Sequence, residues 1–300
     1  LLIKKNMAAF KGTFTVLITP MTINQDVDIE GLKKNIDWQI SNGIPGICVT
    51  GSTGEFASLS REERLEIAEA AVRHVNGRVP CLVGTAAEST RETIFYTKHA
   101  KEIGADGVLI INPYFCRPSY DDIYLHYKAI SEAVDIPVMV YNNPGHSGVD
   151  MRPELLVKIC GLKNIDYVKD ASGDLRRVAD IKRLANGEIT IFCGGEDLSL
   201  QNFMLGATGW ICVCGNIIPK EATQLLELVM QNRLKEAGLL FNRLYPLLDM
   251  LENSPKALQL VKKSLEFMGH PSGPCRFPRQ PLSEADTAKL KKLLTDLAII

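Results

Sequence analysis

PVMVYNNPGHSGVDMRPELLVKICGLKNIDYVKDASGDLRRVADIKRLANGEITIFCGG, residues 137–195, holds three short apolar runs separated by two longer stretches of helical spacing. The runs are PVMVYN (137–142), IDYVKD (165–170) and ITIFCGG (189–195). Each is almost continuously apolar rather than alternating, which is the pattern of parallel strands covered on both faces. The stretches near 152–160 and 174–184 fit the crossover helices that such strands require. The segment is therefore built of βα units, and the question is how many the chain contains.

Outward from it the same alternation continues in both directions. Further strand runs are FTVLIT (14–19), GICVTG (46–51), PCLVGT (80–85), GVLII (107–111) and GWICVCGN (209–216). Helical stretches fall near 28–42, 61–75, 89–102, 121–134, 197–205 and 219–231. Ser60 followed by Glu63 forms a capping-box signature, and further helices start after Ser89 and Ser119. Eight βα units in about 220 residues predict a closed (β/α)8 TIM barrel, an α/β fold. An open doubly wound sheet would carry a glycine-rich dinucleotide fingerprint after its first strand, and ITPMTINQDV (18–27) is not one.

Beyond the barrel, expected over 12–232, no strand-like run remains. Helical patterns at 233–251, 254–268 and 283–297 predict a C-terminal helical subdomain over 233–300, interrupted by the proline-rich GHPSGPCRFPRQP (269–281). Residues 1–11 read as a disordered leader, with Met7 a natural start.

The 300 residues are 46% hydrophobic and 23% charged, with 34 Lys+Arg against 35 Asp+Glu. A formal charge of -1 gives no electrostatic reason to bind nucleic acid or an anionic membrane. No apolar run approaches the ~20 residues of a spanning helix, and LLIKKNMAAF (1–10) lacks a signal-peptide pattern. Eight cysteines without a CxxC pair or zinc spacing read as buried, reduced thiols of a cytoplasmic protein.

Active sites of such barrels gather where strands end and βα loops begin. At the end of the sixth run stands Lys169, a charged residue closing an apolar strand. Burial in a barrel mouth disfavours an ammonium, and a neutral amine can attack a ketone to form an imine. The competing reading is a lysine that snorkels to water or pairs with Asp170 or Asp174. Tyr141 ends the preceding strand, where its phenol could relay the protons that imine formation needs. GSTGE (51–55) places Gly51, Ser52 and Thr53 at a turn suited to a substrate carboxylate, which a 2-keto acid carries beside its ketone. After strand seven, beside Gly195, the acids Glu196 and Asp197 would repel a phosphate, so an unphosphorylated substrate is expected. A metal-dependent aldolase lacks strand-end histidines here, and a hydrolase lacks the GxSxG elbow.

GSTGE (51–55), YNNPG (141–145), KDASGD (169–174) and GGED…GATGW (194–210) together resemble the dihydrodipicolinate synthase / N-acetylneuraminate lyase superfamily, over nearly the whole chain. The resemblance implies an imine between pyruvate and Lys169, with Tyr141 as proton shuttle and Ser52 and Thr53 in the relay and carboxylate binding. It also implies a cytoplasmic homotetramer that needs neither metal nor organic cofactor. Dihydrodipicolinate synthases resemble YN.P.RTG, whereas this chain has His146 at the arginine position. Their PYY segment, which reaches a neighbouring subunit, is PYF here, with Phe115 in place of the second tyrosine. Neuraminate lyases resemble KQTSGD, against KDASGD here. The expected function is thus a Schiff-base lyase or synthase acting on pyruvate or a related 2-keto acid, by aldol cleavage or condensation or by sugar-acid dehydration. His146, Phe115, Gly195, Glu196 and Asp197 would contact or select the second substrate. Dihydrodipicolinate synthase proper, and a non-catalytic 2-keto-acid-binding barrel, are the alternatives.

Overall fold

The computed structural model describes residues 10–300. Eight parallel strands close on themselves in chain order. They are β1 (Gly12–Val16), β2 (Gly46–Val49), β3 (Cys81–Gly84), β4 (Gly107–Ile111), β5 (Val138–Asn142), β6 (Ile165–Asp170), β7 (Thr190–Cys193) and β8 (Gly209–Cys212). Closure comes from β1, which pairs with both β2 and β8. The predicted fold is the observed one, a (β/α)8 barrel with C-terminal helices.

Around it lie α1 (Ile29–Ser41), α2 (Arg61–Val75), α3 (Thr90–Glu102), α4 (Tyr120–Ala133), α5 (Pro144–Ser147), α6 (Pro153–Cys160), α7 (Arg176–Leu184), α8 (Ser199–Met204) and α9 (Pro219–Met230). The chain then continues through α10 (Leu234–Asn253), α11 (Ala257–Phe267) and α12 (Glu284–Asp296). The start signals act as read: Ser60 and Glu63 form a reciprocal capping box on α2, and Ser119 with Asp122 does the same on α4. Ser89 accepts from the Glu92 N–H at the start of α3.

Aromatic rings fill the barrel interior. Phe14 meets Phe192 edge-on at 5.6 Å, and Tyr167 stacks at a tilt on Phe10 at 4.9 Å. Gly46 on β2 makes room for this layer, because a Cβ there would come within 2.5 Å of the Phe14 ring. Phe10 is itself buried, so the end of the predicted leader is part of the core, while residues 1–9 lie outside the described residues.

Three further expectations need correction. Strands one and eight are shorter than their apolar runs, since β1 stops at Val16 and β8 at Cys212. After β8 a 3-10 turn (Cys214–Asn216) takes over, held by the Asn216 side chain on the Val16 and Val213 carbonyls. Finally, Cys116 is exposed and Cys160 half-buried, while the other six cysteines are buried and all eight are free thiols. Cys116 lies in the loop after β4, outside the apolar runs that bury Cys48, Cys81, Cys193, Cys212 and Cys214. No helix among the described residues is long and apolar enough to cross a membrane.

Candidate active site

Neighbouring strands put Lys169 and Tyr141 side by side: they are register partners on β6 and β5. Two-residue alternation along each strand sends both side chains inward at the carboxyl end of the barrel. The Lys169 Nζ lies 4.0 Å from the centroid of the Tyr141 ring. Only 5% of Lys169 is exposed, so it does not snorkel to bulk water. Nor do the adjacent acids claim it. Asp170 points to the other face, where it accepts from Asn142 Nδ2 at 2.8 Å and Ser172 Oγ at 2.7 Å, and Asp174 is held by Arg176. Among the described residues Lys169 makes no ion pair.

The opposite face of the same strand ends is tied down. Asn142 also reaches Asp150, which pairs with Arg177 at 2.7 Å, and Arg177 donates to the Met151 carbonyl. Burial raises the Asp170 carboxyl above its ordinary range, against the pull of the Asn142 and Ser172 hydrogen bonds. This network fixes where β5 and β6 end, and hence where Tyr141 and Lys169 sit.

The GSTGE turn is bounded by two residues in the left-handed region, Thr50 at φ +53° and Glu55 at φ +61°. For a β-branched threonine that conformation is costly, about 1–3 kcal/mol. It is held by the Thr50 hydroxyl donating to the Gly84 carbonyl at 3.0 Å, while Thr19 Oγ1 donates to the Gly54 carbonyl. Ser52 and Thr53 thereby face the central cavity, and neither hydroxyl hydrogen-bonds to another described residue. Gly51 does not line the cavity; it is buried against Val16, where a Cβ would come within 2.7 Å of Cγ1.

The cavity has a volume of about 690 Å³, and Lys169, Tyr141, Ser52, Thr53, His146 and Glu196 all line it. His146, at its exposed rim, has its imidazole held below the ordinary range by surrounding protein mass and then by the positive charges of Lys169 and Arg279. Glu196 is fully buried, and its two carboxylate oxygens accept the Val213 and Cys214 N–H groups at 2.6 and 3.1 Å. Burial pushes this acid up to about 7. Its carboxylate braces the turn after β8 through both oxygens.

Besides Gly51, three predicted site residues lie outside the cavity lining. Gly195 and Asp197 line a separate small cleft, with the Gly195 carbonyl taken by Trp210 Nε1 and the Asp197 carboxylate reached by Asn253. The glycine that matters at Lys169 is Gly194, where a Cβ would lie 2.9 Å from the Lys169 Cε. Phe115 is 88% exposed and outside the cavity lining, because the loop after β4 turns its side chain to the surface.

Other cavity residues escaped the sequence reading. Asn143 donates from Nδ2 to the Tyr141 phenol oxygen at 2.8 Å. Arg279 and Gln259 enter from the C-terminal region, while Tyr114, which the sequence offers only as a replacement for the hydroxyl missing at Phe115, lines the wall. Glu252 on α10 also lines it, and its carboxylate accepts the Glu196 N–H at 2.8 Å. Asn143 had a signal, since it follows the YN pair directly. Arg279 lies in a proline-rich connection with no period to read.

With this geometry in place, comparison with known proteins is informative. A family model described as the dihydrodipicolinate synthetase family matches residues 9–297. This chain belongs to that family. It is accordingly an enzyme, a lyase of the class I aldolase type. It is 36% identical over 293 residues to the 4-hydroxy-tetrahydrodipicolinate synthase of Syntrophus aciditrophicus (strain SB), covering 97% of this chain and 99% of that protein. The homonymous protein of Geotalea uraniireducens (strain Rf4) is also 36% identical, with 97% of this chain and all of that one covered. Among solved structures it is similar to a chloride-inhibited dihydrodipicolinate synthase from Acinetobacter baumannii complexed with pyruvate. The TM-score is 0.93 at 35% identity, covering 97% of this chain and 100% of that one.

Proposed function

We propose that the enzyme forms an imine between Lys169 and pyruvate, and that the enamine derived from it adds to, or is released from, an aldehyde. The observation that carries this reading is a buried, unpaired Lys169 whose Nζ lies 4.0 Å from the Tyr141 ring centroid in a cavity of about 690 Å³. The neutral amine attacks the ketone carbon, forming the C–N bond, while the carbonyl oxygen takes the Tyr141 proton. The nitrogen returns a proton to the phenolate, giving a neutral carbinolamine. Tyr141 then protonates the hydroxyl, water leaves, and an iminium remains beside a phenolate that can take a proton from the adjacent methyl carbon. Ser52 and Thr53, with free hydroxyls facing the cavity, are suited to the pyruvate carboxylate and the relay.

The second substrate would occupy the outer cavity near His146, Gln259 and Arg279. A neutral imidazole gives no permanent charge there, but the Arg279 guanidinium does. That guanidinium also lies 3.7 Å from Glu55, but the other oxygen of this carboxylate has a closer cation in Lys262 at 2.7 Å, so Arg279 is its longer, secondary partner. This supports an anionic aldehyde. The names of the relatives favour 4-hydroxy-tetrahydrodipicolinate synthase as the specific activity, with Arg279 supplying the charge that His146 lacks. A coupled assay with pyruvate and aspartate semialdehyde tests it. Efficient turnover, with Arg279→Ala raising KM for the aldehyde about 10-fold or more, supports this specific activity. Turnover only with other aldehydes would leave pyruvate chemistry and remove this substrate. We also propose a cytoplasmic homotetramer: eight free thiols suit a reducing compartment, and exposed Phe115 is a surface that a second subunit would cover.

A further inference from the structure

We infer that Asn143 is a positioning residue for Tyr141, fixing which lone pair of the phenol is occupied and stabilising the phenolate once its proton is given up. The inference rests on the imine reading above and adds a residue to it. Asn143 is the N-cap of α5: its Oδ1 accepts the His146 backbone N–H at 3.0 Å. A backbone N–H can only donate, so the side-chain atom facing it is the oxygen, and the amide orientation is settled by chemistry. The NH2 end must then point the other way, and there Nδ2 donates to the Tyr141 phenol oxygen at 2.8 Å. A phenol has one proton and two acceptor lone pairs. With one lone pair held by Asn143, the O–H is left to point into the cavity, toward an oxygen bound beside Lys169.

The same hydrogen bond changes character during the reaction. When Tyr141 transfers its proton to the departing hydroxyl, the O–H bond breaks, the electron pair stays on the phenol oxygen, and water leaves as the iminium forms. The Asn143 N–H then donates to an anion, and such bonds are roughly twice as strong as neutral ones. The interaction is therefore stronger in the charged state than in the resting state, which is what accelerates a step. α5 is thus more than a connection after β5. Its cap fixes the amide that serves the phenol two residues earlier.

Asn143→Asp separates the two roles. A carboxylate oxygen still caps α5, but no N–H remains for Tyr141. The expected result is a kcat lower by about 10- to 100-fold, consistent with a partial loss of general acid–base catalysis. KM for pyruvate and the melting temperature should stay close to wild type. The alkaline limb of the kcat profile should move to higher pH, since removing a donor and adding negative charge both disfavour a phenolate. Lys169, His146, Tyr114, Glu55, Glu196, Glu252 and Arg279 share the cavity and remain in place, so a shift in that limb reports on the phenol. Asn143→Ser, which also caps but cannot reach with an N–H, guards against a folding defect in the aspartate variant and should show the same lower kcat. Wild-type kcat and an unmoved limb in both variants would overturn the inference while leaving the imine intact. Failure of the wild-type enzyme to be trapped with pyruvate and borohydride at Lys169 would instead remove the reading beneath it, and this inference with it.

Discussion

Two backbone N–H groups are not enough to offset the burial of Glu196, and the acid is pushed up to about 7. In the unfolded chain the same carboxyl titrates near 4.5. Between those values the folded form holds more protons, so its contribution to stability is full below about 4.5 and lost as pH rises through about 7. Across that window the change is on the order of 3 kcal/mol, at 1.4 kcal/mol per unit. Melting temperatures measured from pH 4 to 8 should therefore fall more steeply for wild type than for Glu196→Gln. Parallel curves would mean that Glu196 is ionised throughout. Tyr141→Phe belongs to the same scale. Deleting the proton relay should lower kcat by about 10²- to 10⁴-fold with Lys169 untouched, and steady-state kinetics with pyruvate reads it. Lys169, Tyr141, Ser52 and Thr53 all line the cavity, and they could be picked out because they stand at, or just beyond, the ends of runs that read as strands. Gly194 and Gly195 look alike in sequence, and only the structure shows that a Cβ at Gly194 would press on Lys169. Asp197 follows in the turn after β7, where no strand alternation can be read, and it lines the separate cleft.

At the scale of elements, hydrophobic runs locate strands well and overstate their length. FTVLIT stays apolar past Val16 because Leu17 and Ile18 are buried, although they lie beyond the β1 ladder. GWICVCGN behaves likewise at β8, where Cys214 and Asn216 are buried in a turn. Helix α5 was invisible because four residues are too few to show a period. Capping was legible at Ser60 and Ser119, each followed by an acid three residues later. Gly46 marks where one element makes space for another, and a methyl group there would press on the Phe14 ring. Gly46→Ala should cost about 1–3 kcal/mol, the usual range for overpacking a filled core. Urea unfolding measures it; an unchanged midpoint would show that the Phe14 ring moves freely.

For the whole molecule, the count of eight βα units was enough to predict closure, because that number of apolar parallel strands leaves no edge exposed. How the C-terminal helices meet the barrel was not legible, since the tie is between residues far apart in sequence. Glu55, at the end of the GSTGE turn, pairs with Lys262 on α11 at 2.7 Å, with both side chains buried. It also accepts the Arg276 N–H at 3.0 Å. Lys262→Met would take from this buried carboxylate its close partner and leave only Arg279 at 3.7 Å, at a cost of about 3–5 kcal/mol in urea unfolding. A loss below 1 kcal/mol would show that Arg276 and Arg279 suffice for Glu55. The long reach of this tie also explains why Arg279 was missed as a cavity residue. The central claim, an imine on Lys169, has a direct measurement: borohydride reduction in the presence of pyruvate, followed by intact-mass and peptide mass spectrometry. One reduced pyruvate per chain, on the peptide carrying Lys169 and absent from Lys169→Arg, is the predicted result; an unmodified chain, or an adduct on another lysine, would contradict it.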